Sequence, residues 1–131
     1  MKEYKMLLEK ARESMSKAYA PYSNFKVGAA VLTKNKNIYT GCNIENASYG
    51  ATNCAERTAV FKAVSEGETE IIAIAVVSSS NSYTYPCGIC RQVLSEFMKE
   101  GEFIFENSDG EMKIISLKDI FPYSFTKEDL V

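Results

Sequence analysis

The segment CAERTAVFKAVSEGETEIIAIAVVSSSNSYTYPCGIC, residues 54–90, decides the fold of this chain. At its centre, residues 71–77 form an unalternating apolar run rich in β-branched side chains, which is typical of a central strand buried on both faces. Alanine and valine recur at helical spacing over residues 54–66, and a second apolar stripe covers residues 88–99. The segment therefore predicts a helix, a buried strand and a second helix in succession.

Helical and strand-like patterns continue on both sides of this unit, and their order predicts an α/β fold. We expect a three-layer sandwich, with a mixed sheet of about five strands flanked by helices, in a single domain spanning residues 1–131. The flanking elements are a helix at 2–18, hairpin strands at 27–33 and 38–43, strands at 103–106 and 112–116, and a short helix at 117–121. In the helix at 88–99, the residues predicted to face inward are Ile89, Val93, Leu94, Phe97 and Met98.

Composition and charge exclude several classes of protein. Of the 131 residues, 46% are hydrophobic and 24% are charged, which is usual for a globular domain and not for a disordered chain. The net charge is −2 and no basic block stands out, so no nucleic acid partner is expected. The longest apolar run, residues 71–77, is far shorter than the ~20 residues of a membrane span, and the first residues lead into no apolar segment typical of a signal peptide. We therefore expect no membrane partner and a cytoplasmic location.

Histidine is absent from the chain, which excludes every catalytic triad or metal site that needs an imidazole. Acid–base chemistry near neutral pH then has to come from a carboxylate, a lysine, a thiol, a tyrosine or a metal-bound water. The four cysteines are Cys42, Cys54, Cys87 and Cys90. In a chain without an export signal and with enough apolar residues for a core, they indicate metal or redox chemistry more than a disulfide framework.

Three of these cysteines lie at the starts of the two central helices. Cys54 opens the first helix, and Cys87 and Cys90 open the second, where the positive end of the helix dipole favours thiolates. If both helices start at the same edge of the sheet, the thiols form a zinc site that leaves one of four tetrahedral positions open, as in catalytic zinc sites. Glu56, two residues after Cys54, is then the natural proton shuttle for a zinc-bound water.

Each of these features also has a simpler interpretation. A C-x-x-C pair is typical of redox proteins as well, and a glutamate in a first helical turn often only compensates the helix dipole. Cys42 as a fourth ligand would close the site and make it structural, although a cysteine at the end of a strand is more often a small buried apolar residue. Three thiolates exceed the charge of one zinc ion, so Arg57 and Arg91 are either cations beside the sulfurs or ordinary surface arginines.

Four motifs together resemble those of a known family. They are Tyr22-Ser23-x-Phe25-x-Val27-Gly28-Ala29-Ala30, Gly41-Cys42-Asn43-Ile44-Glu45-Asn46-Ala47-Ser48-Tyr49, Cys54-Ala55-Glu56-Arg57-Thr58-Ala59 and Pro86-Cys87-Gly88-x-Cys90-Arg91-Gln92. With these motifs the chain resembles the cytidine deaminases, in particular their small homotetrameric branch with three cysteine ligands. The likeness covers most of the chain, from about Tyr19 to the C-terminal tail.

The resemblance implies a role for each motif. Cys54, Cys87 and Cys90 would bind one Zn²⁺ per chain, and Glu56 would be the catalytic acid–base residue. Phe25 would stack on the base of a small nucleoside substrate, and the remaining contacts divide between the ribose and a neighbouring subunit of the homotetramer. Asn43 and Glu45 would bind the ribose hydroxyls, and Ala55 would also contact the substrate. Ala47 and Tyr49, together with Phe125 of the C-terminal Pro122-Tyr123-Ser124-Phe125, would approach the site of a neighbour.

An amide and a carboxylate two residues apart on an extended segment suit the vicinal hydroxyls of a ribose. A free base would leave Asn43 and Glu45 unpaired, which is costly in a buried site. The predicted reaction is hydrolytic deamination of cytidine and 2′-deoxycytidine to uridine and 2′-deoxyuridine with release of ammonia, as in pyrimidine salvage. The alternatives are deamination of a blasticidin-type nucleoside antibiotic, deamination of a polynucleotide, which needs a basic channel, and a non-catalytic module stapled by zinc.

Overall fold

The computed structural model describes residues 2–130, and the order of its helices and strands is the predicted one. The predicted domain, residues 1–131, includes two terminal residues that lie outside this range. The elements are α1 (Lys2–Met15), β1 (Val27–Thr33), β2 (Ile38–Cys42), α2 (Ala55–Ser65), β3 (Ile71–Ser78), α3 (Gly88–Phe97), β4 (Glu102–Glu106), β5 (Met112–Ser116) and α4 (Leu117–Ile120), with short 3₁₀ turns at Tyr49–Ala51 and Lys127–Leu130.

The five strands form one mixed sheet in the order β2-β1-β3-β4-β5. Strands β3 and β4 run parallel, whereas the other neighbouring pairs are antiparallel, and β1 and β2 form the predicted hairpin. The unalternating run at residues 71–77 lies in β3, at the centre of the sheet and almost wholly buried. The α/β fold class with a mixed sheet is therefore confirmed.

Two apolar cores lie on opposite faces of the sheet. On one face, α2 and α3 pack against strand residues that include Ile74 and Phe103. On the other face, α1 packs against strand residues that include Ala75 and Ile104. Adjacent residues of one strand thus serve opposite cores, as the two-residue period of a strand requires, and the three layers are those predicted. Within residues 2–130, no helix combines the length and the apolar character that crossing a membrane requires.

The first half of α2 lies close to β2 at Gly41. A Cβ atom at this position would come within 2.4 Å of the backbone nitrogen of Ala59 and within 2.6 Å of the carbonyl oxygen of Ala55. A real side chain cannot occupy that space, so glycine is what allows the helix to approach the strand. Because α2 begins at Ala55, this contact fixes where the helix starts relative to the sheet.

The prediction that Ile89 faces inward is wrong, since 61% of this residue is exposed. The buried residues of α3 are Cys90 and Leu94, four positions apart, and Met98 continues their row just beyond the helix. Each residue turns a helix by about 100°, which places Ile89 on the side opposite Met98. The inward stripe therefore runs through Cys90 and leaves its neighbour Ile89 outside.

The first helix is three residues shorter than predicted and ends at Met15 instead of residue 18. Beyond it, the backbone nitrogen of Tyr19 donates to the carbonyl oxygen of Asn43 at 3.0 Å. This pairing with the segment after β2 draws the chain out of the helical path. It also joins the loop at residues 19–26 to the segment that carries Asn43 and Glu45.

Candidate active site

Three thiols converge where the two central helices begin. Cys54 is the N-cap residue of α2, Cys87 is the N-cap residue of α3, and Cys90 lies in the first turn of α3. The sulfur atoms of Cys54 and Cys87 are 3.9 Å apart, and all three sulfurs lie within 4.8 Å of one another. The α2–β3–α3 succession thus brings both helix starts to one end of the sheet, as the spacing predicts.

This cluster fits a zinc ion. With sulfur ligands at about 2.3 Å, a tetrahedral site requires sulfur atoms about 3.8 Å from each other, close to the separation between Cys54 and Cys87. Thiolates are also among the ligands that zinc prefers in proteins. Within residues 2–130, the cluster contains Cys54, Cys87 and Cys90 but not Cys42, which ends β2. The alternative in which Cys42 closes the site is therefore not supported, and a set of three ligands leaves one tetrahedral position open.

Arg57 is the cation beside the sulfurs. Its Nη2 donates to the Cys54 sulfur at 3.2 Å, and this contact raises the pKa of the guanidinium further. A hydrogen bond from the Cys90 thiol, together with Arg57, lowers the pKa of Cys54 to about 5, while the same bond and burial raise the pKa of Cys90. Of Cys54 and Cys90, the thiol that ionises first is therefore Cys54, to which Arg57 donates directly.

Arg91, the second candidate cation, binds backbone carbonyl groups instead of the sulfurs. Its Nε donates to the carbonyl oxygen of Pro86 at 2.8 Å, and its Nη1 donates to that of Ile120 at 2.5 Å. The next residue, Gln92, donates through Nε2 to the carbonyl oxygen of Phe125 at 2.8 Å. The two residues that follow Cys90 thus hold the start of α3 against the C-terminal segment.

Glu56 is almost fully buried beside the thiols, with 4% of the residue exposed. Burial raises the pKa of Glu56 to about 7, and the charge of Cys54 acts in the same direction. Compensation of the helix dipole does not require burial, since exposed carboxylates at helix starts also provide it. A buried carboxyl group that can gain or lose a proton near neutral pH is suited to proton transfer in a chain without histidine.

Asn43 is buried and its side-chain amide already has two protein partners. Its Oδ1 accepts from the backbone nitrogen of Val27 at 2.9 Å, and its Nδ2 donates to the carbonyl oxygen of Phe25 at 2.8 Å. Glu45 likewise accepts from the backbone nitrogens of Tyr22 at 2.9 Å and Ser23 at 3.1 Å. The expectation that a free base would leave Asn43 and Glu45 unpaired is therefore wrong, because sequence alone does not show that the loop at residues 22–27 folds onto both.

Both side chains keep some capacity for a ligand. A carboxylate has about four lone-pair sites and an amide oxygen has two, so a few remain beyond the bonds made here. An open cleft of about 390 Å³ lies beside Glu45, lined by Tyr22, Ser23, Tyr49 and Thr52. Its volume is in the range of small-molecule sites, roughly 300–1,000 Å³.

The remaining predicted substrate contacts differ in their exposure. Phe25, Tyr49 and Phe125 are exposed over 38%, 75% and 57% of each residue, and the ring of Tyr49 meets that of Tyr22 edge-on at 5.9 Å. Ala47 is exposed as well. Ala55 is fully buried, and its methyl group packs in the core below α2 instead of facing an open site.

Ser23 is a residue to which the sequence analysis assigned no role, yet its hydroxyl group donates to Glu45. The available signal was its position in the Tyr22-Ser23-x-Phe25 motif, between two aromatic residues, because a short hydroxyl side chain often bonds the backbone of such a loop. The partner of that hydroxyl is 22 residues away in sequence and could not be read from the motif.

Comparisons with known proteins agree with this geometry. Residues 1–106 match the family model described as the cytidine and deoxycytidylate deaminase zinc-binding region. The chain belongs to the cytidine deaminase family. It is 47% identical over 126 residues to the cytidine deaminase of Halalkalibacterium halodurans, covering 95% of this chain and 96% of that protein. It is 40% identical over 128 residues to a cytidine deaminase of Mycobacterium tuberculosis, covering 98% and 93%.

Solved structures of cytidine deaminases share the fold. The crystal structure of cytidine deaminase from Burkholderia pseudomallei superimposes with a TM-score of 0.88 at 47% identity, covering 92% of this chain and 98% of that one. The enzyme from Mycobacterium tuberculosis gives a TM-score of 0.81 at 38% identity, covering 93% and 96%. The three-cysteine cluster lies inside the matched zinc-binding region, so zinc is the cofactor of this member of the cytidine deaminase family.

Replacement of Cys87 by alanine is expected to reduce bound zinc from about one ion per chain to a small fraction, because two thiolates hold the ion far less tightly than three. Metal analysis by plasma mass spectrometry after purification checks this. Cys42→Ala is the matched control, since Cys42 lies outside the cluster and its removal should leave zinc in place. Zinc loss in Cys42→Ala, or full zinc in Cys87→Ala, would contradict the three-cysteine site.

Proposed function

We propose that this chain hydrolyses cytidine and 2′-deoxycytidine to uridine and 2′-deoxyuridine with release of ammonia. The observation that carries the proposal is the buried carboxyl group of Glu56 beside three convergent thiols that fit a zinc ion with one open position. Membership of the cytidine deaminase family supports the same reaction.

The residues that would hold the metal are Cys54, Cys87 and Cys90. Zinc bound there lowers the pKa of water and makes a nucleophile available at neutral pH. Arg57, at 3.2 Å from the Cys54 sulfur, offsets part of the negative charge of the thiolates. Without such a cation, three thiolates would weaken the pull of the metal on a fourth ligand.

Glu56 moves the protons of the reaction. It accepts a proton from the attacking water and donates one to the ring nitrogen next to the amine-bearing carbon. It then takes the second proton from the same oxygen, now bonded to the ring carbon, and delivers it to the amino group. The carbon–nitrogen bond breaks as the carbonyl group forms, so that water and cytidine become uridine and ammonia. A carboxyl group with a pKa near neutrality can act in both directions, and its burial excludes competing water.

Recognition of the nucleoside falls to loops around this centre. Asn43 and Glu45 would bind the ribose hydroxyls with the acceptor sites that their own loop contacts leave free, and Phe25 would stack on the base. The cleft beside Glu45 has room for a sugar. Because the two binding groups suit a ribose and the chain has a net charge of −2, a free nucleoside fits better than a polynucleotide.

A homotetramer would complete the site. Ala47, Tyr49 and Phe125 would approach the substrate of a neighbouring subunit, which agrees with their exposure in the single chain. We place this enzyme in the cytoplasm, in pyrimidine salvage, with residues 1–131 as one catalytic domain. The absence of a basic block in the sequence agrees with a small-molecule substrate.

Glu56→Gln is expected to lower kcat for cytidine by about 10²- to 10⁴-fold, because the amide cannot transfer protons, while zinc content stays the same. Turnover and zinc are measured on the same preparation. Glu66→Gln, an exposed carboxylate at the end of the same helix, is the control and should keep full activity. A Glu56→Gln variant that retains wild-type kcat would rule out this mechanism.

Phe125→Ala and Glu56→Gln chains are expected to recover activity when they are co-expressed and purified through two different tags. A mixed oligomer can then combine Glu56 of one subunit with Phe125 of another in a single site. Glu45→Ala mixed with Glu56→Gln is the control, because both residues serve the site of their own subunit and cannot complement. Mixed oligomers no more active than the mean of their parents would contradict a site shared between subunits.

A further inference from the structure

The hydroxyl group of Ser23 connects two residues of the proposed nucleoside site. It donates to Oε2 of Glu45, and it accepts from the backbone nitrogen of Phe25 at 3.0 Å. The direction of these two hydrogen bonds is fixed. A carboxylate has no proton to donate, so the single hydroxyl proton of Ser23 must point to Glu45. The Ser23 hydroxyl thus links the Phe25 backbone to the Glu45 carboxylate and fixes where one lies relative to the other.

The backbone between these residues forms a tight turn. Asn24 has a φ of 58°, in the left-handed region that few residues other than glycine and asparagine adopt readily. The bond from the Phe25 nitrogen to Ser23 Oγ closes the turn around Asn24. On the far side of the turn, Asn43 binds the carbonyl oxygen of Phe25, so the loop is held at both ends.

Glu45 is oriented by three donors from this loop. The backbone nitrogens of Tyr22 and Ser23 both donate to Oε1, and the Ser23 hydroxyl donates to Oε2. The Ser23 hydroxyl is also the main cause of the lowered pKa of Glu45, which keeps the group charged. A carboxylate held in this way has about one lone-pair site left, on Oε2, and both Ser23 and Glu45 line the open cleft.

We infer that Ser23 is a positioning residue that aims the Glu45 carboxylate at the ribose hydroxyls. It thereby sets how strongly the enzyme prefers a nucleoside with those hydroxyls to one without them. The inference rests on the proposed function, since it concerns the same site. The side chain acts through Glu45 and makes no contact with the reacting atoms.

The test is the ratio of kcat/KM for cytidine to kcat/KM for 2′,3′-dideoxycytidine, which lacks both hydroxyls. The wild type is expected to prefer cytidine, and Ser23→Ala should lower the ratio about tenfold, the usual effect of one lost hydrogen bond to a charged group. Ser23→Thr keeps the hydroxyl and should restore the ratio. Ser23→Val, which has the shape of threonine without the hydroxyl, should behave like alanine and replaces it if Ser23→Ala folds poorly.

Ser79→Ala is the matched control. The Ser79 hydroxyl accepts from the backbone nitrogen of Lys26 at 3.1 Å, so it holds the same loop without touching Glu45. Its loss should leave the ratio unchanged. An equal loss of kcat/KM for both substrates would show a purely structural role for Ser23 and would overturn the inference. Equal ratios in the threonine and valine variants, or a wild-type ratio near one, would also overturn it. A wild type that does not deaminate cytidine would overturn the proposed function and this inference with it.

Discussion

Three sulfur atoms that repel one another when ionised have to share one small space, and the rest of the molecule is arranged around that constraint. The starts of α2 and α3 supply backbone dipoles that favour thiolates, and Arg57 supplies a charge in contact with Cys54. Both contributions depend on where the two helices begin. The close approach of α2 to Gly41 and the central position of β3 therefore matter for chemistry as much as for packing.

The site divides its tasks between rigid and adaptable parts of the fold. The thiols and Glu56 lie on helices that pack against the sheet, so their positions are set by the core. The proposed substrate contacts lie mostly on loops, where Asn43 and Glu45 bind the turn around Asn24. Loops can follow the shape of a ligand, but they position groups well only when hydrogen bonds hold them, and these loops are held.

Much of the fold and of the metal cluster could be predicted from the sequence, because both depend on local patterns. The apolar run at residues 71–77 and the cysteines at two helix starts determine β3 and the cluster directly. The errors concern side chains whose partners are distant in sequence. Asn43 was expected to lack protein partners, yet it bonds Phe25 and Val27. The role of Arg91 stayed open for the same reason, because its partner Ile120 is distant in sequence and no pattern within one segment reports such pairs. The prediction for Ile89 was wrong for a different reason, because the apolar pattern of α3 covers more of the helix surface than the core does.

The proposed reaction is tested most directly by cytidine turnover of the purified wild-type chain, followed by the ultraviolet change on conversion to uridine, with zinc determined on the same sample. We predict turnover by protein that carries about one zinc ion per chain. The contradicting result is protein that carries this zinc but does not convert cytidine. Deamination of a blasticidin-type antibiotic or of a single-stranded oligonucleotide by that same sample would not rescue the proposed reaction.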